Sequence, residues 1–272
     1  MALDRGRIVR QPALLALSLT TALALTATAC GSDKDDSSDA KAKNGDAPVV
    51  VATTTWEGAL AKAAGAQDVK VIVPPSVQHA PDYEPKPSDL AAVADADFVL
   101  YAPFEPFAKK IEEAAGSKAE LVEVALDNDP AKTSAEVARL GKKFGTEDAA
   151  AKWDASFKRE YGALRKELKA AWPGGKAPAV VAQAYSAWSA KMAGADLRGT
   201  YGPKAVTAAQ LSALAKKKPA YVFDNAHMTT GKVLPDTGAK QVDIVNFPGK
   251  DLDLLAVYKN AAEAIEKSMS AS

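Results

Sequence analysis

The stretch 146–172, TEDAAAKWDASFKREYGALRKELKAAW, decides the fold of this chain. Its large apolar residues recur at intervals of three and four positions, which places them on one face of a helix. They are Trp153, Phe157, Tyr161, Leu164, Leu168 and Trp172. We predict that Thr146 caps this helix and that Pro173 ends it. A helix of about 27 residues extends roughly 40 Å, so we expect it to join two lobes and to pack against both. A surface helix of a single domain is the alternative.

Composition excludes several function classes. The chain has 272 residues, room for two modest domains, and its formal net charge of +0 gives no indication of nucleic-acid binding. It lacks the Gly-x-Ser-x-Gly and His-Glu-x-x-His motifs, and its two histidines lie in separate halves. We therefore predict that the protein is not an enzyme, and that it has no catalytic residues and no catalytic cofactor.

The first thirty residues resemble the export signal of a bacterial lipoprotein. A basic segment with Arg5, Arg7 and Arg10 precedes an apolar run, and small residues follow up to Cys30, the only cysteine of the chain. The resemblance implies that Cys30 is lipidated and anchors the protein to the outer face of the cell membrane. An uncleaved membrane helix is the alternative.

Residues 31–46, GSDKDDSSDAKAKNGD, have no large apolar side chain and predict a flexible tether. The long helix and this tether divide the chain. We predict a signal peptide at 1–29, a lipidated cysteine and tether at 30–47, an N-terminal α/β lobe at 48–145, a linking helix at 146–172 and a C-terminal α/β lobe at 173–272.

The two halves repeat each other on either side of the long helix. Short apolar segments in the first half have counterparts at similar spacing in the second: 49–52 and 180–182, 98–101 and 220–223, 121–124 and 242–245. Each half reads strand, helix, strand, helix, strand. The sequence thus predicts an α/β fold with two βαβαβ-type lobes, each with a parallel sheet, joined by one long rigid helix over a cleft.

Ligands of parallel sheets bind beyond the carboxyl ends of the strands, so we searched for the site there. The segments concerned are 53–56, 102–105, 182–185, 224–227 and 246–248. Trp56, Glu105, Tyr185 and Asn246 are the predicted cleft-lining residues. The first half also has a proline-rich insertion at 74–87, PPSVQHAPDYEPKP, which predicts a stiff loop that forms one wall of the site.

The two histidines fall after strands of opposite lobes. His79 lies in the stiff loop, and His227 follows the strand at 221–223. Neutral imidazole is a common ligand of zinc and related ions, so both rings are candidate ligands of one ion between the lobes. The alternative is that each histidine is an ordinary loop residue. Asp224 either supplies a carboxylate oxygen or caps the following helix.

Three segments resemble the zinc/manganese solute-binding proteins of ABC transporters. They are 48–56, PVVVATTTW; 82–90, DYEPKPSDL; and 94–97, ADAD. The likeness extends over about residues 48–267, and the Tyr-Glu-Pro-x-Pro-Ser-Asp run is its most specific part. It implies two α/β lobes bridged by a rigid helix, a metal ion in the cleft, a lipid anchor in single-membrane bacteria, and delivery of the ion to a membrane permease.

The family's metal ligands are shifted or replaced in this chain. Pro81 stands where the resemblance places the first histidine, Ala131 where it places the second, Gln183 near the third position and Asn246 near the acidic ligand. Carboxamide oxygens bind zinc more weakly than imidazole or carboxylate. We therefore predict a rebuilt metal site of His79, His227, Asp224 and Gln183, or a different cargo such as a metal chelate or a small polar solute.

Together these features predict a monomeric, lipid-anchored solute-binding protein of an ABC importer, which carries a divalent metal of the zinc or manganese class to its permease. Two alternatives remain at this point. One is the same fold with a chelate or other small solute as cargo. The other is a surface lipoprotein or adhesin that has lost metal binding.

Overall fold

The computed structural model describes residues 48–77, 80–229 and 231–270. The predicted signal peptide, Cys30, the tether and His79 lie outside these residues. Within them, no helix combines the length and apolar character needed to cross a membrane.

The first half of the described chain forms a parallel four-stranded sheet. Its strands stand in the order β2-β1-β3-β4. The elements are β1 (Val49–Ala52), α1 (Thr55–Ala63), β2 (Asp68–Val71), α2 (Pro87–Asp95), β3 (Phe98–Tyr101), α3 (Ala108–Ala115), β4 (Glu120–Glu123) and α4 (Pro130–Phe144). Helices cover both faces of this sheet, as parallel sheets require.

The second half repeats this arrangement after the long helix α5 (Glu147–Ala171). Its sheet is also parallel, in the order β6-β5-β7-β8, which is the same order as in the first half. The elements are β5 (Ala179–Gln183), α6 (Ala187–Met192), β6 (Asp196–Tyr201), α7 (Ala208–Ala215), β7 (Tyr221–Asn225), β8 (Lys240–Ile244) and α8 (Leu254–Ser270). The α/β fold with two lobes and an internal duplication is therefore confirmed.

Each sheet has one strand more than the three that the sequence predicted. The additional strands, β2 and β6, lie at the sheet edges. In β2, Asp68 and Lys70 are exposed, and in β6 exposed and half-buried residues alternate. This alternation gives no continuous apolar run, so the sequence search for buried strands missed both.

The long helix packs as its apolar periodicity predicts. Phe157, Leu168 and Trp172 are buried in the core of the second lobe, and Trp153 contacts the cores of both lobes. Thr146 occupies the N-cap position of α5 as predicted, but its side chain makes no cap hydrogen bond, because its hydroxyl donates to the carbonyl of Ala64 at 2.6 Å. Thr146 therefore ties the start of α5 to the end of α1.

A close helix contact fixes α4 against α5. A Cβ atom on Gly141 would lie 2.5 Å from the Cβ of Ala150, so only glycine permits this approach. Gly145 then adopts φ 70° and ends α4 in the left-handed conformation that glycine tolerates. These two glycines let the chain turn directly from the first lobe into α5.

The last helix also connects the lobes. Leu254 is buried in the core of the first lobe, whereas Tyr258, Ala261, Ile265 and Met269 are buried in that of the second. The Tyr258 hydroxyl lies 3.0 Å from the Thr133 hydroxyl and donates to the Asn128 carbonyl at 3.2 Å. Helix α8 therefore holds the two lobes together beside α5.

Candidate functional site

A cleft of about 780 Å³ lies between the lobes, at the carboxyl ends of the strands. The first lobe contributes the segments that follow β1, β3 and β4 and part of the proline-rich loop. The second lobe contributes those that follow β5, β7 and β8. Pro74, Pro75, Val77 and Ala80 are the described loop residues that line it. The loop thus forms one side of the cleft.

The four predicted cleft-lining residues all lie on this cleft. Tyr185 is the most open, with 54 % of its surface exposed, whereas Glu105 and Asn246 are buried. Trp56 is half-buried in the first turn of α1. Both lobes therefore present aromatic and polar groups to the same space.

The predicted metal ligands are in different environments. His227 lines the cleft, is exposed, and its ring contacts that of Phe247, with the centroids 4.0 Å apart and the ring planes tilted by 35°. Partial burial of its ring nevertheless lowers the pKa of His227, which favours the neutral imidazole, the form that binds metals. His79 lies outside the described residues.

Asp224 and Gln183 are not among the residues that line the cleft. Asp224 is 2 % exposed, and its carboxylate accepts hydrogen bonds from the Tyr201 hydroxyl at 2.8 Å and the Gln241 amide at 3.4 Å. Gln183 is 3 % exposed and accepts from the Tyr185 N–H at 2.6 Å. Both side chains support the ends of their strands. Among the residues that the structure describes, no three His, Cys, Asp or Glu side chains form a group that could hold a metal ion.

Asn246 organises the floor of the cleft. Its side-chain oxygen accepts from the Trp188 indole N–H at 3.1 Å, and its amide donates to the Ser186 hydroxyl at 3.3 Å. Its main-chain carbonyl accepts from the Asn128 amide of the first lobe at 2.8 Å. The carboxamide at the position of the family's acidic ligand thus serves as a buried hydrogen-bonding group within the second lobe, and the main-chain carbonyl of the same residue makes the hydrogen bond to the first lobe.

The charged groups at the cleft are paired. The Asp127 carboxylate lies 2.6 Å from the Lys132 ammonium, and the Asp129 carboxylate lies 3.7 Å from the Lys191 ammonium of the second lobe. Asp127 also accepts from the Asp129 N–H at 2.7 Å. These carboxylates are engaged by neighbouring lysines and by the backbone.

Two buried carboxyl groups lie below the first lobe's side of the cleft. Burial, and then the negative charge of Glu57, raises the pKa of Glu105 to about 8, although the Ala102 N–H donates to its carboxylate at 3.1 Å. Burial likewise raises the pKa of Glu57, which accepts from the Thr54 N–H at 3.2 Å. Because the two interact, they titrate as a pair, and the pair retains a proton near neutral pH.

The raised pKa of Glu105 predicts that stability falls as pH rises from about 4.5 to 8. In this window the folded chain binds more protons than the unfolded chain. For each extra bound proton, the free energy of unfolding falls by up to about 1.4 kcal/mol for every unit by which the pH rises. We expect the free energy of unfolding of Glu105→Gln to depend less steeply on pH, because this variant lacks the titrating carboxyl group. Urea unfolding at pH 5, 6, 7 and 8 measures it. The exposed Glu263→Gln is the control, and an unchanged slope in Glu105→Gln contradicts the assignment.

Sequence reasoning missed Trp188, Asn128 and the charged residues that follow β4. The duplication could have identified the residues after β4, because it pairs β4 with β8. The segment after β8 was already part of the predicted site. Trp188 is the second residue of α6, beyond the strand end that was searched. It reaches the cleft because Asn246 accepts its indole hydrogen bond.

Two lobes with parallel sheets, bridged by a long helix and facing each other over a cleft at their strand ends, define a two-lobed solute-binding protein. Residues 50–218 match the family described as "ZnuA: Zinc-uptake complex component A periplasmic". The chain belongs to this family, whose members are extracytoplasmic solute-binding transport proteins that work with ABC permeases. It is a transport family and not an enzyme family.

Solved structures show the same fold. The laminin-binding protein Lbp of Streptococcus pyogenes is 19 % identical, with a TM-score of 0.57, over 81 % of this chain and 100 % of that one. FpvC of Pseudomonas aeruginosa in complex with Mn²⁺ is 14 % identical, with a TM-score of 0.58, over 82 % and 97 %. A zinc-bound ZnuA deletion mutant is 18 % identical, with a TM-score of 0.59, over 84 % and 100 %. No curated protein sequence matches this chain.

Proposed function

We propose that this protein is the lipid-anchored solute-binding component of an ABC importer, and that it captures a divalent metal of the zinc or manganese class in the cleft and delivers it to the permease. The observation that carries the proposal is the cleft itself, which both lobes line at their strand ends and into which a neutral imidazole opens. Family membership and the metal-bound relatives support it.

The proposal includes the arrangement of the chain on the membrane. Residues 1–29 are the signal peptide, Cys30 carries the lipid, and residues 30–47 tether the lobes to the outer face of the membrane. Residues 48–145 and 173–272 then form the lobes on either side of the linking helix at 146–172, and the protein is a monomer. The small residues before Cys30 and the polar tether support this arrangement. Globomycin blocks cleavage of lipoprotein signal peptides. The mass of the protein from globomycin-treated cells, compared with that from untreated cells, therefore tests this arrangement.

The proposed ligands are His79, His227, Asp224 and Gln183. His227 is open to the cleft, so it needs no rearrangement to bind an ion. Asp224 and Gln183 must first exchange the hydrogen bonds that they make with Tyr201 and with the Tyr185 N–H. We therefore expect His227 to contribute more to the affinity than either of these two.

We expect His227→Ala to weaken metal binding tenfold or more, since the loss of even a supporting group around a bound metal costs about 10- to 100-fold. Calorimetry with zinc, manganese, cobalt and nickel on the purified, metal-stripped protein measures the change. Thr229→Ala, an exposed residue of the same loop that does not line the cleft, is the control. Wild-type affinity in His227→Ala excludes this ligand, and a protein that binds none of these free metal ions excludes a free ion as the cargo.

A further inference from the structure

The chain offers few groups that can bind a bare ion. It has two histidines and one cysteine, and that cysteine is at position 30. Of the carboxylates that line the cleft, Asp127 and Asp129 are paired with lysines, and Glu105 is buried beside Glu57. A zinc ion takes four ligands in most proteins. Of the proposed ligands that the structure describes, only His227 lines the cleft, and Asp224 and Gln183 are buried in hydrogen bonds beside it.

The cleft has the size and the lining of a pocket for a small organic molecule. Its volume of about 780 Å³ falls within the roughly 300–1,000 Å³ typical of pockets for small organic ligands. Such pockets are lined mainly by apolar and aromatic side chains with a few polar groups, which is the composition found here. The aromatic lining residues are Trp56, Phe104, Tyr185, Trp188 and Phe247.

Exposed apolar side chains concentrate at this cleft. Phe104 is 72 % exposed, Tyr185 54 % and Met228 45 %, and these are the three most exposed large apolar residues of the described chain. All three line the cleft, Phe104 from the first lobe and the other two from the second. Exposed apolar groups gathered in one concave place mark a binding site, because water contact with them is unfavourable.

We infer that the cleft binds its divalent metal as a complex with a small organic chelator that carries a flat conjugated ring. The ring lies against Phe104 and Tyr185, the chelator supplies most of the metal's donor atoms, and His227 takes a remaining coordination position. This inference rests on the proposed function, since it specifies the form in which the metal is carried.

Calorimetry with four probes tests the inference on the full-length chain purified in detergent. The probes are free Zn²⁺, the 1:1 complex of zinc with 1,10-phenanthroline, the 1:1 complex of zinc with the aliphatic chelator nitrilotriacetate, and metal-free 1,10-phenanthroline. We expect the zinc–phenanthroline complex to bind at least tenfold more tightly than each of the other three.

The possible failures are distinguishable. If free Zn²⁺ or the nitrilotriacetate complex binds as tightly as the phenanthroline complex, the inference fails while the proposed metal function stands. If metal-free phenanthroline binds as tightly as its zinc complex, the metal contributes nothing and the inference also fails. If no form of zinc binds, and manganese, cobalt and nickel give no heat either, the proposed metal function fails with it.

Variants of Phe104 test the ring contact. Because Phe104 is largely exposed, Phe104→Ala removes the aromatic surface with little effect on folding. We expect it to weaken binding of the phenanthroline complex about threefold to tenfold, as the loss of one aromatic contact does, and to leave binding of free Zn²⁺ unchanged. Phe104→Trp should retain binding of the complex. Val49→Ala, a partly exposed apolar residue that does not line the cleft, is the matched control. Equal affinity in Phe104→Ala and the wild type overturns the ring contact.

Discussion

Phe157→Ala is expected to lower the free energy of unfolding by about 3–5 kcal/mol, the usual cost of truncating a buried phenylalanine. Phe157 is 1 % exposed in the middle of α5. Its ring stacks on Trp153, with centroids 4.9 Å apart and an interplanar angle of 10°, and it meets the edge of Tyr258 in α8 at 5.0 Å. The substitution therefore opens a cavity between the two helices that connect the lobes.

Urea unfolding monitored by circular dichroism measures this loss, and tryptophan fluorescence reports the surroundings of Trp153. Phe157→Leu should lower the free energy of unfolding by less, because leucine keeps most of the apolar volume of the side chain. Lys166→Ala, at an exposed position on the same helix, is the control and should change stability by no more than about 0.5 kcal/mol. A loss below about 1 kcal/mol in Phe157→Ala would mean that α5 does not pack as described.

Asn246→Leu is expected to lower the free energy of unfolding by about 1–3 kcal/mol, because it leaves the Trp188 indole N–H buried without an acceptor. Trp188 is 8 % exposed and donates only to Asn246 among the hydrogen bonds of the described residues. The bond from Asn128 to the main-chain carbonyl of Asn246 does not depend on the side chain, so the backbone link between the lobes can persist. The loss thus reports the side-chain hydrogen bonds of Asn246 with Trp188 and Ser186 at the cleft floor.

A double-mutant cycle isolates this contact. Trp188→Phe removes the indole N–H, so adding Asn246→Leu to it should cost less than Asn246→Leu alone. Thermal unfolding of the four proteins gives the coupling energy. Additive losses in the double variant would show that the two side chains do not interact. Asn246→Leu should also weaken cargo binding, because Trp188 lines the cleft and is then no longer held in place.

Much of the fold could be predicted from the sequence because the signals are local. The three-and-four spacing from Trp153 to Trp172 fixes one face of α5, and short apolar runs mark the buried central strands β1, β3, β5 and β7. The edge strands β2 and β6 were missed because the search was for continuous apolar runs, whereas exposed residues alternate with less exposed ones in both. The duplication then placed the cleft at the strand ends, where Trp56, Glu105, Tyr185 and Asn246 lie.

The sequence by itself determined the two lobes, the helix between them and the edge at which they face each other, since helix periodicity and repeat spacing are properties of neighbouring residues. Only the tertiary structure decided which side chains at that edge are free. Asp224, Gln183 and Asn246 follow or end strands just as His227 does, yet they are buried and make hydrogen bonds to partners distant in the chain, including Tyr201 and Trp188. A hydrogen bond between residues 23 or 58 positions apart depends on how the strands and helices pack, and no local pattern encodes it.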